Sequence, residues 1–145
     1  MGRDDAETVQ IYFCGSIRGG RSDVDLYARL IEMLEGYGEV LTEHVGHEDV
    51  EASETEQSDT EIHDQDIAWL RAADVVVAEV TIPSLGVGYE IGKAREWATP
   101  VLCLYRPEGD HDLSAMIRGS DVRVEEYSDP ETLEPVFRQF VENHR

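Results

Sequence analysis

The run Val75-Val-Val-Ala-Glu-Val80, held between Asp74 and Pro83 and followed by Ser84-Leu-Gly-Val-Gly-Tyr-Glu90, decides the fold. A short, nearly continuous apolar stretch rich in valine reads as a strand covered on both faces, and such strands lie at the centre of parallel sheets. The next segment, Gly86–Ala98, is predicted helical because Val87, Ile91, Ala94 and Ala98 recur on one face. The same alternation extends outward in both directions. Upstream, Val9–Cys14 reads as a strand, Asp23–Tyr37 as a helix ended by Gly36 and Gly38, and Glu39–Glu43 as a second strand. Downstream, Pro100–Tyr105 and Val122–Tyr127 read as strands, and Pro130–Glu142 as a closing amphipathic helix. Ser58-Asp-Thr-Glu61 is a capping-box pattern that starts a helix running to Ala73. Strands alternating with helices give a five-stranded parallel sheet in one doubly wound α/β domain spanning residues 1–145.

Charge narrows the partners. The chain has 145 residues, with 32 acids against 12 bases, a formal net charge of −20. A phosphate polymer or an anionic membrane would have to bind against that field, so neither is expected as a partner. No apolar run is long enough for a membrane span, and residues 1–8 read as a polar, flexible N-terminus without a signal peptide. Cys14 and Cys103 lie inside apolar runs and read as reduced, buried residues, in keeping with a cytoplasmic protein. Lys93 is the only lysine among the bases. Heavy acid enrichment with so little lysine reads as a halophilic surface, the alternative being a basic partner. Residues 46–60 form an acidic segment expected to be a solvated loop, with a mobile lid as the alternative.

In a doubly wound sheet, ligands bind beyond the carboxyl ends of the strands where strand order reverses. After the first strand comes Gly15-Ser-Ile-Arg-Gly-Gly-Arg-Ser22, a near miss to a phosphate loop with Arg21 in the lysine position. Its glycines free backbone N–H groups for an anion, and Ser16 and Arg18 add a hydroxyl and a fixed charge. A plain strand-to-helix turn is the bland alternative. After the third strand, Ser84 stands where unpaired helix N–H groups make an anion cradle, and Gly86 and Gly88 permit close approach. Glu90 follows one turn later, either as a working carboxylate or as a surface glutamate favoured near a helix N-terminus. Asp66 falls in a stripe with Ile62, Trp69, Leu70 and Ala73. A carboxylate on an apolar face is costly unless it holds a proton, which suits a general acid; an Asp at the stripe's edge reaching water is the alternative. His44 and His47 have no third ligand at metal-binding spacing, so no metal is expected and His44 is read as lining the pocket.

Taken in order, Ile11-Tyr-Phe-Cys-Gly-Ser-Ile-Arg-Gly-Gly20, Val40-Leu-Thr-Glu-His-Val45, Ile62-His-Asp-Gln-Asp-Ile67, Ala73–Val80, Pro83–Gly92 and Leu113-Ser-Ala-Met-Ile-Arg-Gly119 resemble the 2′-deoxynucleoside 5′-monophosphate N-hydrolases of the nucleoside 2-deoxyribosyltransferase superfamily. The resemblance covers about residues 9–127 and implies a flavodoxin-like fold, a homodimer and no cofactor. It also implies cleavage of the N-glycosidic bond of deoxynucleotides to free base and 2-deoxyribose 5-phosphate. By the same resemblance Glu90 is the nucleophile, Asp66 the acid that protonates the departing base, and Tyr12 the residue that positions Glu90 and crowds the sugar's 2′ face. Ser16, Arg18 and Ser84 hold the 5′-phosphate, joined by Ser114 of the partner subunit. Gly15, Ile17 and Gly19 complete the phosphate turn, His44 lies along the base, and Gly86 and Met116 contact the substrate. A retaining cleavage of this kind needs two carboxylates about 5–5.5 Å apart, one charged and one protonated. Related deoxyribosyltransferases carry an acid near the position of Ser84 to bind a free 5′-hydroxyl; serine there favours a phosphate. A transferase acting on free nucleosides and a non-catalytic nucleotide-binding module are the alternative functions.

Overall fold

Alternation along the first strand separates the two cores. In the computed structural model, which describes residues 8–17, 21–41, 57–107 and 112–145, β1 (Gln10–Gly15) turns Ile11 and Phe13 to one face and Tyr12 and Cys14 to the other. The remaining elements are α1 (Arg21–Glu35), β2 (Glu39–Val40), α2 (Asp59–Ala72), β3 (Val75–Glu79), α3 (Leu85–Glu96), β4 (Val101–Tyr105), α4 (Ala115–Arg118), β5 (Arg123–Glu126), a 3-10 turn (Pro130–Leu133) and α5 (Glu134–Asn143). All strands pair in parallel in the order β2-β1-β3-β4-β5, the flavodoxin-like order. The core beneath α1 and α5 gathers Ile11, Phe13, Leu30, Leu34, Val77, Leu104, Phe137 and Phe140. The core beneath α2 and α3 gathers Tyr12, Cys14, Leu70, Val76, Ala78, Val87, Ile91 and Cys103. Strand order reverses between β1 and β3, so the crevice at their carboxyl ends is the expected ligand position.

The decisive run is buried at every position of β3, including Glu79. That carboxylate is saturated by protein. It accepts from Thr81 N and Thr81 Oγ1 (both 3.0 Å), Arg106 Nε (3.2 Å) and Tyr127 Oη (2.5 Å). Arg106 also reaches Asp23 at 3.4 Å. These bonds tie the turn after β3 to the ends of β4 and β5, which holds the backbone that leads into Ser84.

Several boundaries depart from the sequence expectation, each for a local reason. The helix predicted over Pro130–Glu142 is a 3-10 turn followed by a fresh α-helix, because Pro135 at the start of α5 has no N–H to give to the preceding turn. The helix predicted to end at Ala98 stops at Glu96. Trp97 caps it, Ala98 adopts a left-handed φ of 62°, and Thr99 N closes back onto Ala94 O at 2.9 Å. The second strand is described over Glu39–Val40, with Leu41 N still pairing to Ile11 O at 2.8 Å, while Thr42 and Glu43 of the expected Glu39–Glu43 lie outside the described residues. Gly38 is required there, since a Cβ would stand 2.4 Å from Val9 O. The short helix α4 has no counterpart in the sequence reading. Met1–Glu7, Arg18, Gly19, His44 and the stretch 46–56 of the acidic segment lie outside the described residues. Among those described, no helix is long and apolar enough to cross a membrane.

Candidate active site

Tyr12 sits in mid-strand on the α3 side of the sheet and is 2% exposed. Its Oη donates to Glu90 Oε2 at 2.5 Å, joining β1 to α3 across 78 residues of sequence. Burial, and next the adjacent Glu90 charge, push the phenol far above its usual 10.0, so it stays protonated and always donates. Cys14, two residues along the same face, also hydrogen-bonds Glu90; burial and then that carboxylate hold its thiol well above 9.0. The carboxylate therefore has two donors aimed at it from one strand, an arrangement that favours its charged form and fixes its rotamer. Glu90 is the sixth residue of α3, beyond the first turn. The helix dipole expected to favour its anion acts weakly at that distance, and the β1 donors take over that role.

Asp66 reaches the same place from α2. The capping box is formed as expected: Ser58 Oγ accepts from Glu61 N at 3.1 Å, and Glu61 Oε1 accepts from Ser58 N at 3.0 Å. This start phases the helix so that Asp59, Ile62, His63, Asp66 and Ile67 line one side of a cleft of about 210 Å³, with Gly86, Tyr89 and Glu90 of α3 on the other. The Asp66 stripe is only partly buried, with Leu70 the one buried residue within α2. Its carboxylate is thus not sealed in the core but opens to the cleft. Asp66 and Glu90 both act electrostatically on Tyr12, which places two carboxylates and one neutral phenol around one small volume.

Ser84 is the N-cap of α3, its Oγ accepting from Val87 N at 3.2 Å. The hydroxyl keeps its hydrogen to donate, two residues before Gly86 and six before Glu90. A Cβ built on Gly86 would meet nothing nearer than Ser84 Oγ at 3.8 Å, so this glycine is not demanded by protein packing and leaves open space at the cleft. Gly15 differs. A Cβ there would lie 2.8 Å from Tyr27 Cζ, so the end of β1 must be glycine for the Tyr27 ring to close beneath it. Ser16 follows, buried at 5% exposure, and Ile17 is partly buried. Ser114 caps α4 through Met116 N at 3.1 Å, but Ser114 and Met116 are exposed and are not among the residues lining this chain's cleft. Arg18, Gly19 and His44 lie outside the described residues.

Three contributors escaped the sequence reading. Cys14 was expected to be an inert core residue, and only its alternation with Tyr12 signals its direction. His63 and Tyr89 line the cleft beside Asp66 and Glu90. Their signal was the three-residue spacing from His63 to Asp66 on a helix and the adjacency of Tyr89 to Glu90. Glu79 is occupied by the hydrogen bonds described above. Among the described residues, no group of three His, Cys, Asp or Glu is placed to hold a metal.

The family model described as nucleoside 2-deoxyribosyltransferase matches residues 11–133. A Nematostella vectensis protein provisionally named 2′-deoxynucleoside 5′-phosphate N-hydrolase 1 is 60% identical over 118 residues, 79% of each chain. The 5-hydroxymethyl-dUMP N-hydrolase of Mus musculus is 52% identical over 136 residues, 90% of this chain and 79% of the mouse protein. Among solved structures, the CMP N-glycosidase of Clostridium botulinum superposes with a TM-score of 0.65 at 17% identity, covering 90% of this chain and 98% of that one, which bears out the fold.

Proposed function

The chain belongs to the nucleoside 2-deoxyribosyltransferase family, and from that premise we propose that it hydrolyses the N-glycosidic bond of 2′-deoxynucleoside 5′-monophosphates, releasing free base and 2-deoxyribose 5-phosphate. The observation that carries this reading is the Tyr12–Glu90 hydrogen bond of 2.5 Å in a cleft that Asp66 shares. Glu90 attacks C1′ through a carboxylate oxygen. The C1′–N bond breaks, its electron pair goes to the base nitrogen, and Asp66 supplies the proton. Asp66, now ionised, takes a proton from water, whose oxygen attacks C1′ and frees Glu90. Tyr12 keeps its proton throughout, orients the nucleophile and fills the space that a 2′-hydroxyl would need.

The phosphate is held beyond the strand ends. Ser84 offers its hydroxyl hydrogen and the α3 N-terminus its N–H groups, and Gly15, Ser16, Ile17, Arg18 and Gly19 are the further residues proposed to bind it. A carboxylate in place of Ser84 would repel that dianion, which is why a nucleotide is the preferred substrate over a nucleoside. Ser114 of the partner subunit completes the site in a homodimer. Support for a second copy is the exposure of Leu85 (97%) and Met116 (82%), large apolar side chains on α3 and α4. His44 lies along the base. The family description favours one competing outcome, transfer of deoxyribose to an acceptor base.

Chromatographic assay of base release from dGMP, dCMP, dTMP and dUMP, with GMP and deoxyguanosine as controls, tests the proposal. Release from deoxynucleotides alone is expected, and Glu90→Gln should lower it at least about 10³-fold, in line with loss of a covalent nucleophile. Wild-type rates in that variant would remove Glu90 from the mechanism. Transfer to an added base outrunning hydrolysis would make the protein a transferase.

A further inference from the structure

Asp66 and Glu90 serve the reaction, yet the rim of their cleft is formed by two aromatic side chains to which the reaction assigns nothing. His63 lies one turn before Asp66 on α2, and Tyr89 directly precedes Glu90 on α3. Both are about half exposed, His63 at 49% of its side chain and Tyr89 at 48%. Their ring centroids lie 5.6 Å apart with the planes inclined at 46°. His63 Nε2 lies 2.9 Å from Tyr89 Oη, and His63 Nδ1 lies 2.9 Å from Asp64 Oδ1. A neutral imidazole that donates through Nδ1 to Asp64 accepts through Nε2 from the Tyr89 hydroxyl. Both ring nitrogens are therefore engaged by protein, while both side chains keep about half of their surface exposed beside the cleft.

We infer that the His63–Tyr89 pair is the surface against which the nucleobase stacks, so that the base is selected by its ring face and not by its hydrogen-bonding edge at this wall. The inference rests on the proposed N-glycosidic reading. If Asp66 protonates the departing base, the base leaves toward α2, and the side of α2 it meets carries Asp59, Ile62 and His63. The two rings are already held by hydrogen bonds, so little side-chain freedom is lost when a base covers them. Every base has a π-face, and a pair whose two donors are already spent on protein offers no donor to exocyclic groups. The consequence is a site that accepts differently substituted bases, with discrimination left to its other walls.

Calorimetric binding to the full chain carrying Glu90→Gln, which does not turn over, separates this wall from the chemistry. The probes are dTMP, dGMP and 2-deoxyribose 5-phosphate, which has no base. Adding His63→Ala should raise Kd for both nucleotides about tenfold, the loss of one base–aromatic stack, while changing the sugar phosphate by less than about twofold. Adding His63→Phe, which keeps a ring face without nitrogens, should restore nucleotide binding. Equal weakening of the sugar phosphate, no weakening at all, or a Phe variant as poor as the Ala variant would each overturn the stacking wall. Failure of the reading beneath it looks different: the nucleotides would bind the Glu90→Gln protein no better than the baseless sugar phosphate, and wild-type protein would release no base. That outcome removes the wall's function as well.

Discussion

A phenol that keeps its proton is a permanent hydrogen-bond donor, and Tyr12 holds its proton because burial beside Glu90 makes a phenolate untenable. Replacing it with phenylalanine removes one donor to a carboxylate and little else. A hydrogen bond to a charged group is worth about 1.5–3 kcal/mol, so Tyr12→Phe should lower kcat about 10- to 100-fold. KM should hardly move, because the buried ring keeps its place in the core and Cys14 still donates to Glu90. A raised KM with an unchanged kcat would make Tyr12 a binding residue and nothing more. The pH profile belongs to the same measurement. With its pKa raised in the folded chain, Tyr12 contributes stability that is fully present below pH 10 and drains away above it, where the unfolded phenol ionises and the folded one does not. Wild type should therefore show no activity loss from Tyr12 on the alkaline side before stability itself falls. None of this pairing is readable from spacing, since 78 residues separate the partners. Family resemblance joined Tyr12 to Glu90, whereas Cys14 and His63 were passed over because a buried thiol and an exposed helical imidazole have ordinary explanations.

Elements were more legible than contacts, and the exceptions are instructive. The β3 and β4 runs are apolar at nearly every position because both of their faces are covered, which made them plain. The α2 start was plain because Ser58 and Glu61 satisfy each other locally. What stayed hidden depended on backbone geometry that side-chain patterns do not report. Pro135 split the last helix, and Ala98 continued the apolar face of α3 while its backbone had already left the helix at a φ of 62°. A residue with a Cβ is strained in that left-handed cap, where glycine is the usual occupant. Ala98→Gly should therefore stabilise the protein by about 0.5–1 kcal/mol, raising Tm by about 1–4 °C for a chain of this size. Differential scanning calorimetry reads it. An unchanged or lower Tm would mean that the entropy of a freer unfolded chain outweighs the relieved cap, and that Ala98 is not strained enough to matter.

At the scale of the whole molecule the governing number is a net charge of −20 on 145 residues, and it sets two opposing responses to salt. Screening weakens exposed ion pairs such as Arg29 with Glu131 (2.6 Å) and Arg95 with Asp121 (2.5 Å), which lowers stability. Screening also relieves repulsion among acids that twelve bases cannot neutralise, which raises it. Exposed pairs are each worth at most about 1 kcal/mol, so with acids in such excess the repulsion should dominate. The Debye length falls from about 10 Å at 0.1 M to about 3 Å at 1 M, so most of the relief comes within that range. Thermal melts in KCl should show Tm rising by about 5 °C between those concentrations, on the order of 2 kcal/mol for a chain of this length. The same repulsion acts between copies. Two chains of this charge brought together through Leu85 and Met116 repel most at low salt, so light scattering over the same series should show dimer mass gained as KCl increases. A Tm that falls with salt would mean that the ion pairs outweigh the excess charge, and the halophilic reading of the surface would go with it. Monomer mass at every concentration would leave the site without Ser114 of the partner subunit, and the phosphate would then rest on Ser84 and the turn after β1 alone.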